Sequence, residues 1–88
     1  MSYNENIATN NGILRGLAKT IQQRRLQMAL SQDAVAEKAG LSRTYFSDIE
    51  RCRRNFSVVT LWNIAHALSI PGSHLLQLAE QMATNDEA

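Results

Sequence analysis

Residues 32–51, QDAVAEKAGLSRTYFSDIER, leave this chain little freedom in how it folds, because a glycine and a serine join two short amphipathic segments there. Gly40 accepts the left-handed backbone that ends a helix. Ser42 carries the side-chain oxygen that opens the next helix by accepting an orphan backbone N–H. Ala36 supplies the small side chain needed where two helices cross closely, and Val35, Ala39, Leu41, Phe46 and Ile49 fall where such a pair must bury itself. The pattern predicts two helices meeting at a steep angle across a tight turn.

Laid out at about 100° per residue from Arg43, the second helix places Phe46 and Ile49 near 300° and 240°, and Arg43, Thr44, Ser47, Asp48 and Arg51 across roughly 0° to 140°. Its buried side and its polar, basic side are opposed. A bland account of that face is a solvated exterior. The chemical account is a DNA-reading helix: an arginine at the helix start can grip guanine with two N–H groups, Thr44 can bond a base edge or pack its methyl on thymine, and Asp48 can accept from cytosine. Tyr45, on the flank, can reach a phosphate or pack. Arg53, Arg54 and Asn55 form a basic loop just beyond, suited to phosphates or an adjacent groove.

The length of 88 residues suits one small core and one domain. A single proline, four glycines and long 3.6-residue periodicities argue for an all-α fold. No apolar run is long enough to span a membrane, and the opening MSYNENIATNN lacks the basic and apolar blocks of a signal peptide, so a cytoplasmic protein is expected. Cys52 stands alone, which excludes an internal disulfide and offers no metal cluster; no cofactor is expected. Net charge is only +1, yet all nine Lys and Arg lie between Arg15 and Arg54, with Asp33, Glu37, Asp48 and Glu50 as the only acids among them. From Phe56 onward there is no Lys or Arg. One face is marked for a polyanion and the C-terminal part for something else.

Residues 1–11 are polar and Asn-rich and read as a flexible arm, residues 12–82 as the domain, and residues 83–88 as an acidic tail. Helix 1 is expected over about 12–29, with Leu14, Leu17, Ala18, Ile21 and Met28 on one stripe. Arg25 falls on that stripe and needs a partner; Glu50, at the edge of the facing stripe, is the predicted one. Ser31 and Ser57 are predicted caps of helices 2 and 4, and Leu61, Ile64, Ala65 and Leu68 give helix 4 its core face, with Val58 and Trp62 toward the margin. Helix 5 is expected to begin near Pro71 to Ser73 and to carry Leu75, Leu78, Ala79 and Met82 on one stripe, with Leu76 to the side. So small a domain cannot hide all of these groups. Trp62, Leu76, Leu78 and Met82 are the candidates for a symmetric homodimer, whose two recognition helices would read an inverted-repeat operator in double-stranded DNA.

These residues resemble the Cro/C1-type, or XRE, helix-turn-helix family over roughly residues 14–78. The carriers are Arg25, Leu30-Ser31-Gln32, Ala36, Gly40-Leu41-Ser42, Ile49-Glu50-Arg51, and Leu61, Ile64, Ala65 and Leu68. The resemblance implies a compact five-helix domain, an Arg25 to Glu50 ion pair, a phosphate contact from Gln32 and base contacts from the first turn of the recognition helix. The run Ser42-Arg43-Thr44-Tyr45-Phe46-Ser47, with Arg54-Asn55, is most similar to controller proteins of restriction-modification systems, small dimeric regulators that bind their own promoter; RNA polymerase is then a candidate further partner. The chain departs from the family by carrying Ala29 and Cys52 where glycine is common. An antitoxin-type interaction module that autoregulates through the same DNA face is the alternative. No enzyme is expected, since His66 and His74 lie on separate helices and Cys52 has no histidine near it in sequence.

Overall fold

The computed structural model describes the backbone of residues 3–87 and the side chains of residues 12–83. Five helices follow one another: α1 (Tyr3–Gln27), α2 (Gln32–Ala39), α3 (Arg43–Glu50), α4 (Val58–Ala67) and α5 (Gly72–Glu87). The described residues contain no strand, as the 3.6-residue periodicity requires. Each of α2, α3 and α4 opens on a serine whose hydroxyl accepts a backbone N–H three residues on: Ala34 to Ser31 at 3.0 Å, Tyr45 to Ser42 at 3.1 Å and Thr60 to Ser57 at 3.1 Å.

The outer boundaries differ from expectation. Helix α1 begins at Tyr3 rather than near residue 12, and α5 continues through Glu87. Both stretches lack proline, and once a helix is nucleated each added residue gains a backbone bond. The side chains of residues 1–11 and 84–88 lie outside the described residues.

The core is built from the predicted stripes. Leu17, Ala18 and Ile21 of α1, Val35, Ala36 and Ala39 of α2, Phe46 and Ile49 of α3, Leu61, Ile64, Ala65 and Leu68 around α4, and Leu75 and Ala79 of α5 are all buried. Leu14, Met28, Leu41, Leu78 and Met82 are only half-buried, at the core's rim. The most extensive helix contact joins α1 to α5. It depends on Gly16, where an added Cβ would collide with the Ala79 carbonyl oxygen, so the two helices meet backbone to backbone. Thr20, buried beside this contact, donates its hydroxyl to the Met82 sulfur at 3.7 Å.

The ends of α1 to α4 share one geometry. Each has a residue in the left-handed region, Ala29 (φ 57°), Gly40 (φ 72°), Cys52 (φ 59°) and Ser69 (φ 55°). After each, the next N–H donates to a carbonyl five residues back: Leu30 to Arg25, Leu41 to Ala36, Arg53 to Asp48 and Ile70 to Ala65, at 2.8–3.1 Å. This bond satisfies helix-end carbonyls that would otherwise be orphaned. Arg24 completes the end of α4 from outside, its Nε donating to the Leu68 carbonyl at 3.0 Å and an Nη to that of Ser69 at 3.2 Å. A cation there also offsets the negative end of the helix dipole.

Only one of the four left-handed positions is glycine, so the other three hold a Cβ in a disfavoured conformation. Ala29→Gly and Cys52→Gly should each stabilise the fold by about 0.5–1 kcal/mol, because the relief of strain exceeds the added entropy of the unfolded chain. Gly40→Ala should cost about 1 kcal/mol although nothing lies within 4 Å of the added methyl. Thermal unfolding of the three variants checks the sign at each place; a lower midpoint for both glycine variants would show that the left-handed backbone there carries no strain.

Candidate nucleic-acid interface

The interface begins with two helices too short to be stable alone, α2 and α3, each of eight residues. Their mutual angle comes from Gly40 and Ser42: the left-handed glycine closes α2, and Ser42, extended at φ −70° and ψ 152°, redirects the chain and caps α3. Phe46 and Ile49 then anchor α3 in the core at no more than 1% exposure. The opposite face follows from the helix period. Arg43, Thr44, Ser47, Asp48 and Arg51 line one shallow polar concavity on it. The first turn of α3 contains no acid, which leaves the positive end of its dipole uncompensated.

What holds α3 at this angle is charge as much as packing. Arg25 and Glu50 form a bidentate pair, Nε to Oε2 at 2.7 Å and an Nη to Oε1 at 3.0 Å, with the Glu50 side chain 1% exposed. The remaining Nη of Arg25 donates to the Leu30 carbonyl at 2.9 Å, and the Gln32 amide donates to Glu50 Oε1 at 2.8 Å. One carboxylate thereby joins α1 and the first residue of α2 to α3, while its arginine also holds the loop before α2. Among the described residues no buried side-chain polar atom is left without a partner.

Two looser pairs lie at the surface. Arg43 Nε is 3.6 Å from Asp33 Oδ1, between the first turns of α3 and α2, with both side chains about two-thirds exposed. Arg54 Nε is 3.6 Å from Asp48 Oδ2, and its guanidinium lies 5.5 Å over the centre of the Tyr45 ring. Tyr45 is half-buried against the core, so it forms a floor on which the loop arginine rests. Arg51, Arg53 and Asn55 are exposed around this cluster.

The candidates for protein contact separate into two groups. Trp62 and Leu76 are exposed and are joined by Val58 and Val59. Val58 and Leu76 border one groove, and the Trp62 ring approaches Gly72, one turn before Leu76. Leu78 and Met82 instead line a groove between α1 and α5 with Thr20 and Gln23. Sequence reasoning missed Val59, exposed Leu26 and the acidic neighbour of Arg43; it gave no role to Arg24, whose side chain caps α4. The one clue to Asp33 was a carboxylate in the first turn of α2, beside a surface expected to meet phosphate.

Comparison with known proteins agrees with this geometry. The family profile described as Helix-turn-helix matches residues 21–75. The control protein C.BamHI of Bacillus amyloliquefaciens is 40% identical over 68 residues, covering 77% of this chain and 84% of that protein. An uncharacterised helix-turn-helix transcriptional regulator, y4dJ of Sinorhizobium fredii, is 41% identical over 46 residues, 52% of this chain and 60% of its own length. Several curated relatives extend well beyond the match, the chain spanning 34% to 60% of their length. The crystal structure of the restriction-modification controller protein C.AhdI from Aeromonas hydrophila superposes with a TM-score of 0.68 at 34% identity, covering 70% of this chain and 94% of that one.

The buried pair generates a direct test. Arg25→Met leaves Glu50 buried with only Gln32 to satisfy it, at a cost of about 3–5 kcal/mol. The thermal midpoint should fall by on the order of 10–30 °C. An unchanged midpoint would remove the pair from any account of stability.

Proposed function

This chain belongs to the helix-turn-helix family of DNA-binding transcriptional regulators, and from that premise we propose that it is the dimeric controller of a restriction-modification system, acting at its own promoter. The observation that carries this reading is the polar face of α3, presented opposite Phe46 and Ile49 by a buried ion pair, in a chain whose relatives include control proteins of such systems. Arg43, at the N-terminal turn of α3, enters the major groove and takes guanine O6 and N7; Thr44 and Ser47 contact neighbouring base edges. Asp48, with one oxygen toward Arg54, keeps the other for a cytosine amino group. Arg51, Arg53, Arg54 and Asn55 supply phosphate contacts, and Tyr45 supports Arg54 beside the backbone. Gln32 spends one amide N–H on Glu50 and has a second to give to phosphate.

A single recognition helix reads too few bases to find one promoter, so the domain of residues 12–82 works in pairs across an inverted repeat with half-sites about 34 Å apart. The exposed apolar side chains Val58, Val59, Trp62 and Leu76 form the centre of the dimer contact, while Leu78 and Met82, in the separate groove between α1 and α5, lie outside it. Bound at its promoter, the dimer is placed to touch RNA polymerase. None of the five described helices is long and apolar enough to cross a membrane, and the reading assigns the protein to the cytoplasm.

Selection of bound duplexes from random DNA supplies the operator, and with it two expected outcomes. Arg43→Ala should weaken operator binding by about 1–3 kcal/mol and scrambled DNA by less, whereas Arg53→Ala and Arg54→Ala should weaken both alike and lower the salt slope by about one unit each. Equal loss on both duplexes for Arg43→Ala would make that residue a phosphate clamp. In sedimentation, the wild type should be a dimer at micromolar concentration, and the Trp62→Ser/Leu76→Glu variant a folded monomer. A wild type that is monomeric with and without operator would overturn the dimer.

A further inference from the structure

We propose that Asp33 is a positioning residue for Arg43, holding that arginine to the base edge and away from the DNA backbone, and so sets specificity at the cost of affinity for random DNA. The proposal rests on the assignment of Arg43 to base reading. Its basis is an acidic side chain beside a surface read as meeting phosphate. Asp33 lies in the first turn of α2, where a helix start favours anions and would suit a phosphate, yet it puts a full negative charge there, 69% exposed. Electrostatics alone would have this carboxylate weaken DNA binding. The pair itself adds little to stability, since at 3.6 Å and exposed it is beyond hydrogen-bond length and gains little in water; what Asp33 gives the fold is the ordinary benefit of an anion at a helix start.

The geometry gives the charge a use. Asp33 Oδ1 faces Nε of Arg43, the inner edge of the guanidinium, so the outer Nη groups remain free as the fork that matches guanine O6 and N7. A long, exposed arginine at a protein–DNA boundary otherwise has two resting places, a base edge and a phosphate oxygen. The carboxylate repels a phosphate from the space beside Arg43 and leaves the uncharged base edge unopposed. As water leaves the groove the effective dielectric falls, and the loose pair strengthens at the moment when the fork must be held. Among the described residues no other acid is paired with Arg43: α3 has none in its first turn, and Asp48 faces Arg54.

The test uses the full chain and two probes, the duplex that the wild type selects from a random library and a scrambled version of it. Asp33→Asn should tighten binding to the scrambled duplex several-fold while leaving the selected duplex unchanged or weaker, so that the ratio of the two affinities falls by on the order of ten-fold. Asp33→Glu, which keeps the charge and adds one methylene of reach, should restore most of the ratio. In an Arg43→Ala background, Asp33→Asn should move both duplexes by one common factor, since only general charge is left. Unfolding midpoints confirm that all variants are folded; a loss of stability would not move the ratio. If Asp33→Asn strengthens both duplexes equally in the wild-type background while Arg43→Ala still collapses the ratio, Asp33 is a bystander charge and the proposal fails alone. If Arg43→Ala leaves the ratio intact, base reading by Arg43 fails and the proposal with it.

Discussion

The bidentate contact between Arg25 and Glu50 is the joint on which the attitude of α3 depends. Glu50 is the last residue of that helix and is nearly inaccessible to water, so its charge is tolerable only in the presence of the guanidinium and the Gln32 amide. Arg25 in turn reaches the Leu30 carbonyl, and the Leu30 N–H returns a bond to the Arg25 carbonyl. A leucine pair of equal volume could fill the same space, but apolar contacts are non-directional and tolerate small rotations. Two parallel N–H···O bonds do not. The pair therefore supplies orientation to a helix whose use depends on where its first turn points.

The same logic divides the arginines by task. Arg24 and Arg25 are adjacent in sequence and both serve structure, one capping α4 and the other anchoring α3. Arg43 and Arg54 face carboxylates only loosely, at 3.6 Å in largely exposed settings, and so keep their donors available. The basic window seen in the sequence is thus a mixture: its charge is concentrated by proximity to α3, but not every member of it faces the same way.

Much of this was legible in the sequence wherever the determinant is local. Ser31, Gly40, Ser42 and Ser57 mark helix ends through their own backbone chemistry, and the stripes containing Ile21, Val35, Phe46 and Ile64 follow from the helix period alone. Even the Arg25 to Glu50 contact was readable, because a charge on an apolar stripe demands an opposite one. What escaped depends on distant approach. Arg24 caps a helix more than forty residues away, and nothing in its neighbourhood announces that. Leu78 and Met82 lie on a continuous stripe with Leu75 and Ala79, yet only the packing of α1 decides that the stripe is shared between the core and a groove. Ser69 adopts a left-handed backbone as Ala29 and Cys52 do, without the glycine that would mark it in the sequence.

Gly16 sets how closely the first and last helices of the domain approach. Because α1 and α5 touch through bare backbone at this glycine and Ala79, the distance between them is at its lower limit, and any side chain at position 16 would move α5 outward. In a dimer joined through α5 and the margin of α4, the two-fold axis doubles such a movement. The missing Cβ of one residue, far from the polar face of α3, thus sets the spacing of the helix pair on which the most extensive contact of the domain is built.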